Sequence, residues 1–535
     1  YAALRVPFNG QNVLDAQMAT EATQLEGIVV IGYGERARAN LTESVGTVSA
    51  QEIQRVTVAS PDAAIQGRVT GVQVTTESGT PGAPVAMRIR GVGTVGNTQP
   101  LFVIDGVPVG KGASANQSPL ATINPNDIES ISILKDASAA SVYGMQAANG
   151  VVLITTRRGR LGAPTIRYDG YTGVQQMPRY YDVLSTEEWL ALQQEAIDAN
   201  NAFFGRTPSD PAFLQLPPQL RQGAPERAEL LGRNTDWTRI GVNSNAPITS
   251  HNVSISGASD QVNYYVSGGY FQQEALIGQW DLSRYSFRAN SDFNVTDWLR
   301  LGETFTISNQ VTDRGFSNYG DATILANVIS QPPVYLAYDP SLVGPTNPQG
   351  LAGNFGTLTG WSRSNMNSVD QLVDVTDRTT RVLGGIFAEA DVVRGLTLRT
   401  QNSVDYNIDN LYRWQPAFTG AVTGYERSEF AGDFRSEAYT FVSSNTATYT
   451  NSFGNHNFNV LGGIETNLYR QNGVSFEATG FISTDYQLRR LVALGDQPLA
   501  RRGSASEVNR LGYIGRLNYN YGDRYLFTAS GRRDG

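Results

Sequence analysis

The sequence predicts a mainly β protein whose larger part is a wide antiparallel transmembrane β-barrel. Three observations carry this. From near residue 166 to the end, about eleven strand-like segments of roughly ten residues come in pairs. Their connections are expected to alternate strictly between very short and very long, as in a barrel with tight turns on one side and long loops on the other. Within the segments, apolar and polar residues alternate with a period of two, which places them on opposite faces of a strand.

The tight links fall at Ala258-Ser259-Asp260, Val295-Thr296-Asp297, Val393-Arg394-Gly395, Ser452-Phe453-Gly454 and Tyr521-Gly522-Asp523. The long stretches, rich in Gly, Pro, Asn and Ser, are 177–247, 314–377, 409–434 and 474–505. In one segment Tyr285, Phe287 and Ala289 oppose Arg284, Ser286, Arg288 and Asn290. In a second, Leu398, Val404 and Tyr406 oppose Arg399, Gln401, Ser403 and Asp405, and in a third Tyr513, Leu517 and Tyr519 oppose Arg516 and Asn518. Two departures stand out: Glu303 falls in phase with Leu301, Phe305 and Ile307, and 436–450 alternates poorly. A soluble antiparallel sheet with one wet face shows the same alternation. The loop asymmetry separates the two readings. So do tyrosines near strand ends, namely Tyr264, Tyr270, Tyr285, Tyr439, Tyr449, Tyr513, Tyr519 and Tyr525.

Composition narrows the function classes. Of 535 residues 40% are hydrophobic, and no run approaches the roughly 18 apolar residues of a spanning helix. With no cysteine and two histidines, His251 and His456, the chain has little material for thiolate, zinc or histidine-based catalytic sites. A net charge of −8 argues against a nucleic-acid partner. The opening Tyr1-Ala2-Ala3 and the closing Arg533-Asp534-Gly535 read as cut ends, so the chain is expected to be a piece of a longer protein.

The first 160 residues have another texture, with short strands between glycine turns. Ile28-Val29-Val30-Ile31 is a β-branched run between Gly27 and Gly32. Such a run fits an ordinary domain strand, or a detachable strand that adds to another protein's sheet edge. Gly91-Val92-Gly93-Thr94-Val95-Gly96 has dinucleotide-binding spacing, but Asn97-Thr98-Gln99-Pro100 and a further strand follow where that motif requires a helix. These glycines therefore read as turns. Asn124 to Gly144 reads strand, turn, short helix.

Several blocks in this region resemble the plug of TonB-dependent outer-membrane transporters of the SusC/RagA family. They are Gln66-Gly67-Arg68-Val69-Thr70-Gly71-Val72, Arg88-Ile89-Arg90-Gly91 and Leu101-Phe102-Val103-Ile104-Asp105-Gly106-Val107-Pro108, followed by Asn124 to Gly144 and Ala148 to Gly159. The resemblance is close over about 25–160 and loose over the barrel. It implies a β-sandwich extension ending in 1–24, a TonB box and linker in 25–39, and a plug of mixed, mostly β structure in 40–162. The first part of the barrel would follow in 163–535, about half of the roughly 22 strands such barrels close with. Half a barrel would leave two unpaired edges and is not expected to insert alone.

The box would be Ile28, Val29, Val30 and Ile31, with Glu26 one position earlier than the usual acid; Arg68, Arg88, Arg90, Asp105, Lys135 and Asp136 occupy plug-motif positions. The three arginines are candidate partners for the inner-face acids Asp292, Glu389 and Asp405. The family implies import driven by TonB, itself energised by an inner-membrane proton-driven complex, with a SusD-like lipoprotein lid and a glycan or peptide substrate. Uptake of a metal chelate or vitamin, or a surface glycan-binding adhesin, are the alternatives. No enzyme activity, cofactor or metal is expected. Loop aromatics Trp237, Tyr335, Tyr338, Trp361 and Trp414, with Tyr180 and Tyr181, are candidates for stacking on substrate, and loop packing explains them equally.

Overall fold

The structure, a computed structural model, describes residues 28–31, 34–37, 44–56, 58–76, 80–83, 85–94, 98–109, 119–136, 140–177, 181–240, 242–278, 280–314, 329, 331–336, 338, 373–415, 429–481, 488 and 495–535. The expected extension (1–24), Glu26, Tyr180 and Trp361 lie outside them. At the N-terminal end β1 (Ile28–Ile31) pairs antiparallel with β2 (Gly34–Ala37). β3 (Val45–Ser49) runs directly into a short helix, α1 (Ala50–Gln54), where the Glu52 carboxylate accepts from Ser49 N at 2.8 Å. There follow β4 (Val72–Thr76), β5 (Val85–Ile89), β6 (Leu101–Ile104), β7 (Val107–Val109), β8 (Ile128–Leu134) and β9 (Val151–Thr156).

Five of these strands form one mixed sheet in the order β3-β8-β9-β6-β7, and β4 and β5 form a separate hairpin. Of the central strands, β9 is apolar on both covered faces, whereas β8 is apolar on the face of Ile131 and Ile133 and carries the buried Ser132 on the other. Their Ile131, Ile133, Val152 and Ile154 join Ile53, Met87, Leu120 and Ile123 in one core.

From β10 (Gly162–Gln175) onward, eleven strands pair with their sequence neighbours in a single antiparallel sheet. The others are β11 (Ala246–Ala258), β12 (Val262–Glu274), β13 (Asp281–Thr296), β14 (Leu299–Arg314) and β15 (Asp374–Val393). β16 (Leu396–Gln415), β17 (Phe430–Phe453), β18 (His456–Thr479), β19 (Gln497–Tyr521) and β20 (Tyr525–Asp534) complete it. The five expected tight turns are all present. Two expectations need correction. The β12–β13 connection, 275–280, is short although it lies on the long-loop side, so the alternation is not strict. The strands also reach 25 residues in β19, because they keep their ladders beyond the roughly ten residues a membrane needs.

The two faces of this sheet are inverted relative to a soluble one. Tyr285 and Phe287 are 59% and 44% exposed, whereas the intervening Arg284 and Arg288 are 3% and 1% exposed. The apolar face is the outer one, and the polar face closes on the plug. Glu303 stays on the outer face, accepting a hydrogen bond from Ser291 Oγ at 3.0 Å. The weak alternation of 436–450 also has a structural reason: Val442 faces inward and is buried, while Ser443 and Asn445 face outward. A few inner apolar residues knit sheet to plug; Leu383 joins the plug core, and Leu461 and Ile514 pack with Tyr143 and Val151.

Candidate functional site

The interface between plug and sheet centres on a turn. Ile104 and Val107 pair across Asp105-Gly106, and both turn residues have positive φ, +48° and +84°. Two successive positive φ values are what a type I′ hairpin turn requires, and Asp-Gly is a preferred pair for it. The turn places the Asp105 carboxylate against β9, where it accepts from Thr156 N at 3.0 Å and Thr156 Oγ1 at 2.7 Å. From the opposite side Arg288 of β13 donates to the same carboxylate and to Thr156 Oγ1, and also to Thr306 Oγ1 at 2.8 Å. The pair is sealed, with side chains 1% (Arg288) and 5% (Asp105) exposed. Gln401 of β16 donates to Asp105 O at 3.1 Å, so the turn is held from two walls.

Further polar contacts flank it. Asp127 accepts from Tyr265 OH at 2.9 Å and Ser267 Oγ at 2.6 Å, both on β12. Burial pushes the Asp127 carboxyl above the usual carboxylate range, against the pull of Arg288 and the two hydroxyls. Asn124 donates to Asn252 at 2.9 Å, and Asn290 to Arg157 O at 2.8 Å. Arg284 reaches the backbone carbonyls of Ala59 and Ala121, and Arg381, paired with Asp405 at 2.7 Å, reaches that of Pro119. On the last strand Ser530 bonds Ser141 at 2.7 Å, and Arg532 donates to Val142 O at 3.0 Å.

The plug-motif residues are distributed differently from the expected pairing. Arg90 pairs with Asp136 inside the plug, Asp136 also accepts from Ser44 N at 2.7 Å, and Lys135 donates to Thr70 O at 3.2 Å. Arg68 and Arg88 are half-buried on the plug. Asp292 is bound by Arg158, Glu389 by Arg300 and Arg399, and Asp405 by Arg381. The expected contacts of Arg68, Arg88 and Arg90 with those three acids are therefore absent among the described residues. At the central contact the sense of charge is reversed, with the acid on the plug and the base on the barrel. Alternation pointed Arg288 inward, but nothing local to either segment names Asp105 as its partner.

Ile28 to Ile31, where the box is expected, form β1, with β2 on one edge; among the described residues the other edge pairs with no strand. The loop aromatics divide. Trp237 and Tyr335 are buried together with Leu190, Leu220, Trp280 and Val334, and Trp237 Nε1 donates to Pro332 O at 3.1 Å. Trp414 is 1% exposed and meets Phe481 edge-on. Burial takes these three rings out of reach of a ligand, whereas Tyr338 and Tyr181 are exposed. The loop core also rests on a helix that the sequence reading passed over, α2 (Thr186–Phe203). The Ser185-x-x-Glu188 capping box at its start was the available signal; Ser185 N donates to Glu188 at 2.9 Å.

An antiparallel sheet with lipid-facing tyrosines outside and a sealed polar interface to an inner domain defines a plugged outer-membrane β-barrel. Comparison with known proteins agrees. A family model described as the TonB-dependent Receptor Plug Domain matches residues 37–151. TonB-dependent receptor P26 of Formosa agariphila is 32% identical over 557 residues, covering 100% of this chain and 50% of that protein. TonB-dependent receptor SusC of Bacteroides thetaiotaomicron is 28% identical over 549 residues, covering 96% and 49%. The fold matches the RagAB peptide importer in its open-open state with a TM-score of 0.75 at 24% identity, over 95% of this chain and 56% of that one. The chain thus carries a TonB-dependent receptor plug domain, is similar along its length to TonB-dependent receptors that include SusC, and spans about half the length of the curated relatives it matches.

Proposed function

We propose that the full protein imports an oligosaccharide or peptide fragment across the outer membrane, using force delivered through TonB. The observation that carries this reading is the placement of the two ends of the plug. β1 stands ready for strand addition on its unpaired edge. The chain then enters the plug sheet through β3, an edge strand that among the described residues pairs only with β8, from Val45↔Leu134 to Ser49↔Ser130. The opposite end of the plug is tied down. Arg157 N donates to Asp127 O at 2.8 Å, Asn290 holds Arg157 O, and Asn263 donates to Gly159 O at 3.0 Å.

A pull on β1 thus releases Ser44 from Asp136 and peels β3 from β8 one residue pair at a time. Such local opening costs far less than unfolding the whole plug. Substrate is captured on the exposed face of the loops, where Tyr181 and Tyr338 are exposed rings among the described residues, beneath a SusD-like lipoprotein lid. The RagAB relative is a peptide importer, and that fold likeness fits peptide fragments as one substrate class.

Replacing Val30 with proline removes a main-chain donor on the free edge that strand addition needs. Uptake should stop while surface binding of labelled ligand persists; uptake at the unaltered rate would refute the box assignment. Parallel uptake of labelled oligosaccharides, peptides and ferric chelates distinguishes the substrate classes, and import of the chelate alone would overturn the nutrient reading.

A further inference from the structure

Two neighbouring side chains on the inner wall are buried without hydrogen bonds. Gln310 of β14 is 1% exposed, and neither end of its amide has a partner; Thr312, two residues further on and 2% exposed, has an unpartnered hydroxyl. Among the described residues Gln310 is the only side chain with two such atoms. By contrast, Ser267, Arg284, Arg288 and Arg381 on the same inner face all bond to the plug. A buried, unbonded amide costs stability that an apolar side chain of similar size would not.

What covers them is the tip of a plug hairpin. The turn at 80–83 lies between β4 and β5 and is closed by Ala83 N donating to Thr80 O at 3.2 Å. Its Gly82 has a φ of +73° and sits so near the wall that an added Cβ would stand 2.5 Å from Leu282 Cδ1 and 3.6 Å from Gln310 Nε2. Leu282, the register partner of Thr312, is thus the apolar seat of the tip. The base of the hairpin is fixed: Gln99 accepts from Met87 N at 3.1 Å and donates to Val85 O at 3.0 Å, and Val74, Val85 and Met87 join the plug core. Yet β4 and β5 form a sheet of their own, apart from the five-stranded one. β4 is also the next strand after β3, so a pull that peels β3 reaches this hairpin next.

We propose that the seam between this hairpin tip and β14 is where cargo enters the lumen, and that Gln310 and Thr312 are the first groups inside it to hold the cargo. The proposal rests on the import reading above. Thr312 lies two residues from Arg314, where β14 ends on the long-loop side, so the seam faces arriving cargo. Withdrawal of Gly82 uncovers a carboxamide and a hydroxyl on one face of one strand. Both are uncharged and each donates and accepts, which suits the hydroxyls of a neutral oligosaccharide or the amides of a peptide. The adjacent cation, Arg284, is committed to the carbonyls of Ala59 and Ala121. Cargo supplies the hydrogen bonds that the covered state withholds, so it binds the open seam in preference to the closed one.

The chain contains no cysteine, so single cysteines report the opening directly. The test uses cells holding the full-length protein, each variant keeping the mobility of a folded barrel on unheated gels. Gln310→Cys should react with a membrane-impermeant maleimide about tenfold faster with the proton gradient intact than after a protonophore. The control Ser254→Cys, inward on β11 and 6% exposed, should stay unlabelled in both states. Pools of neutral oligosaccharides and of uncharged peptides are added separately. The pool that the unaltered protein imports should slow the energised labelling about tenfold. Gly82→Ala combined with Gln310→Cys should label without the gradient, because the added Cβ and the positive φ lift the tip. The seam is overturned if Gln310→Cys labels equally with and without the gradient, if Ser254→Cys labels as fast, or if an imported pool leaves the labelling unslowed. Import of neither pool, with energised labelling intact, instead overturns the import reading and the ligand class assigned here.

Discussion

Neutralising Asp105 with asparagine should unseat the plug, because it leaves a buried arginine without its counter-charge. Asparagine tolerates the positive φ of +48° at this position, and Asn-Gly suits the same turn, so the backbone is preserved. What changes is the environment of Arg288, which is 1% exposed and loses its directly bonded carboxylate, keeping hydroxyl partners and the more distant Asp127. Breaking a buried pair by removing one partner costs about 3–5 kcal/mol. At 1.4 kcal/mol per factor of ten, the undocked population rises about 10²- to 4 × 10³-fold. Ionic current through the full-length protein in planar bilayers reads that population, since an undocked plug leaves a conducting lumen. The companion variant Asp105→Asn with Arg288→Met removes both charges and should return the leak to within about tenfold of the parent. An unchanged current in Asp105→Asn, or a double variant that leaks more than the single one, would refute the latch.

Val30→Pro should abolish uptake and spare the hairpin: Ile31↔Gly34 closes a two-residue loop, so Val29 and Ile31 bond β2 while Val30 N–H faces away. Uptake at the parental rate would show that this edge is not used. Gly106→Ala should weaken docking by about 1–2 kcal/mol because φ is +84° there, read as a lower denaturant midpoint for plug release; the new Cβ would lie 3.0 Å from the movable Gln401 amide, a minor addition. Asp127, whose carboxyl is raised by burial above its ordinary 3.8, binds more protons docked than released. Its contribution is therefore fully present below about 3.8 and lost as pH rises through the raised value. Docking measured against pH should strengthen on acidification, and Asp127→Asn should flatten that slope. Trp237→Ala should loosen the extracellular loop core by about 3–5 kcal/mol, seen as faster proteolysis of 181–240 with an intact barrel.

The barrel was legible because strand alternation and turn chemistry are local. Each outward tyrosine and inward arginine is set by its parity, and each two- or three-residue turn by its own residues. The plug was legible through the resemblance of blocks such as Leu101 to Pro108 and Ala148 to Gly159 to a known family, not through alternation. The helix α2 was not read, although the Ser185-x-x-Glu188 capping box at its start was a local signal for it.

Contacts between elements were not legible. Asp105 and Arg288 are 183 residues apart, and Asp127 and Ser267 are 140 apart, so no spacing rule links them. The plug arginines made equally plausible partners for Asp292, Glu389 and Asp405 until the fold placed Arg158, Arg300, Arg399 and Arg381 nearer. Burial of Trp237, Tyr335 and Trp414 likewise depended on how the loops fold together. The sequence by itself determined which face of each strand meets lipid and where the chain turns, since both follow from neighbours one or two residues away. Only the tertiary structure decided which charges meet across the lumen and which inward polar groups lie covered without partners, because those depend on how segments far apart in the chain pack together.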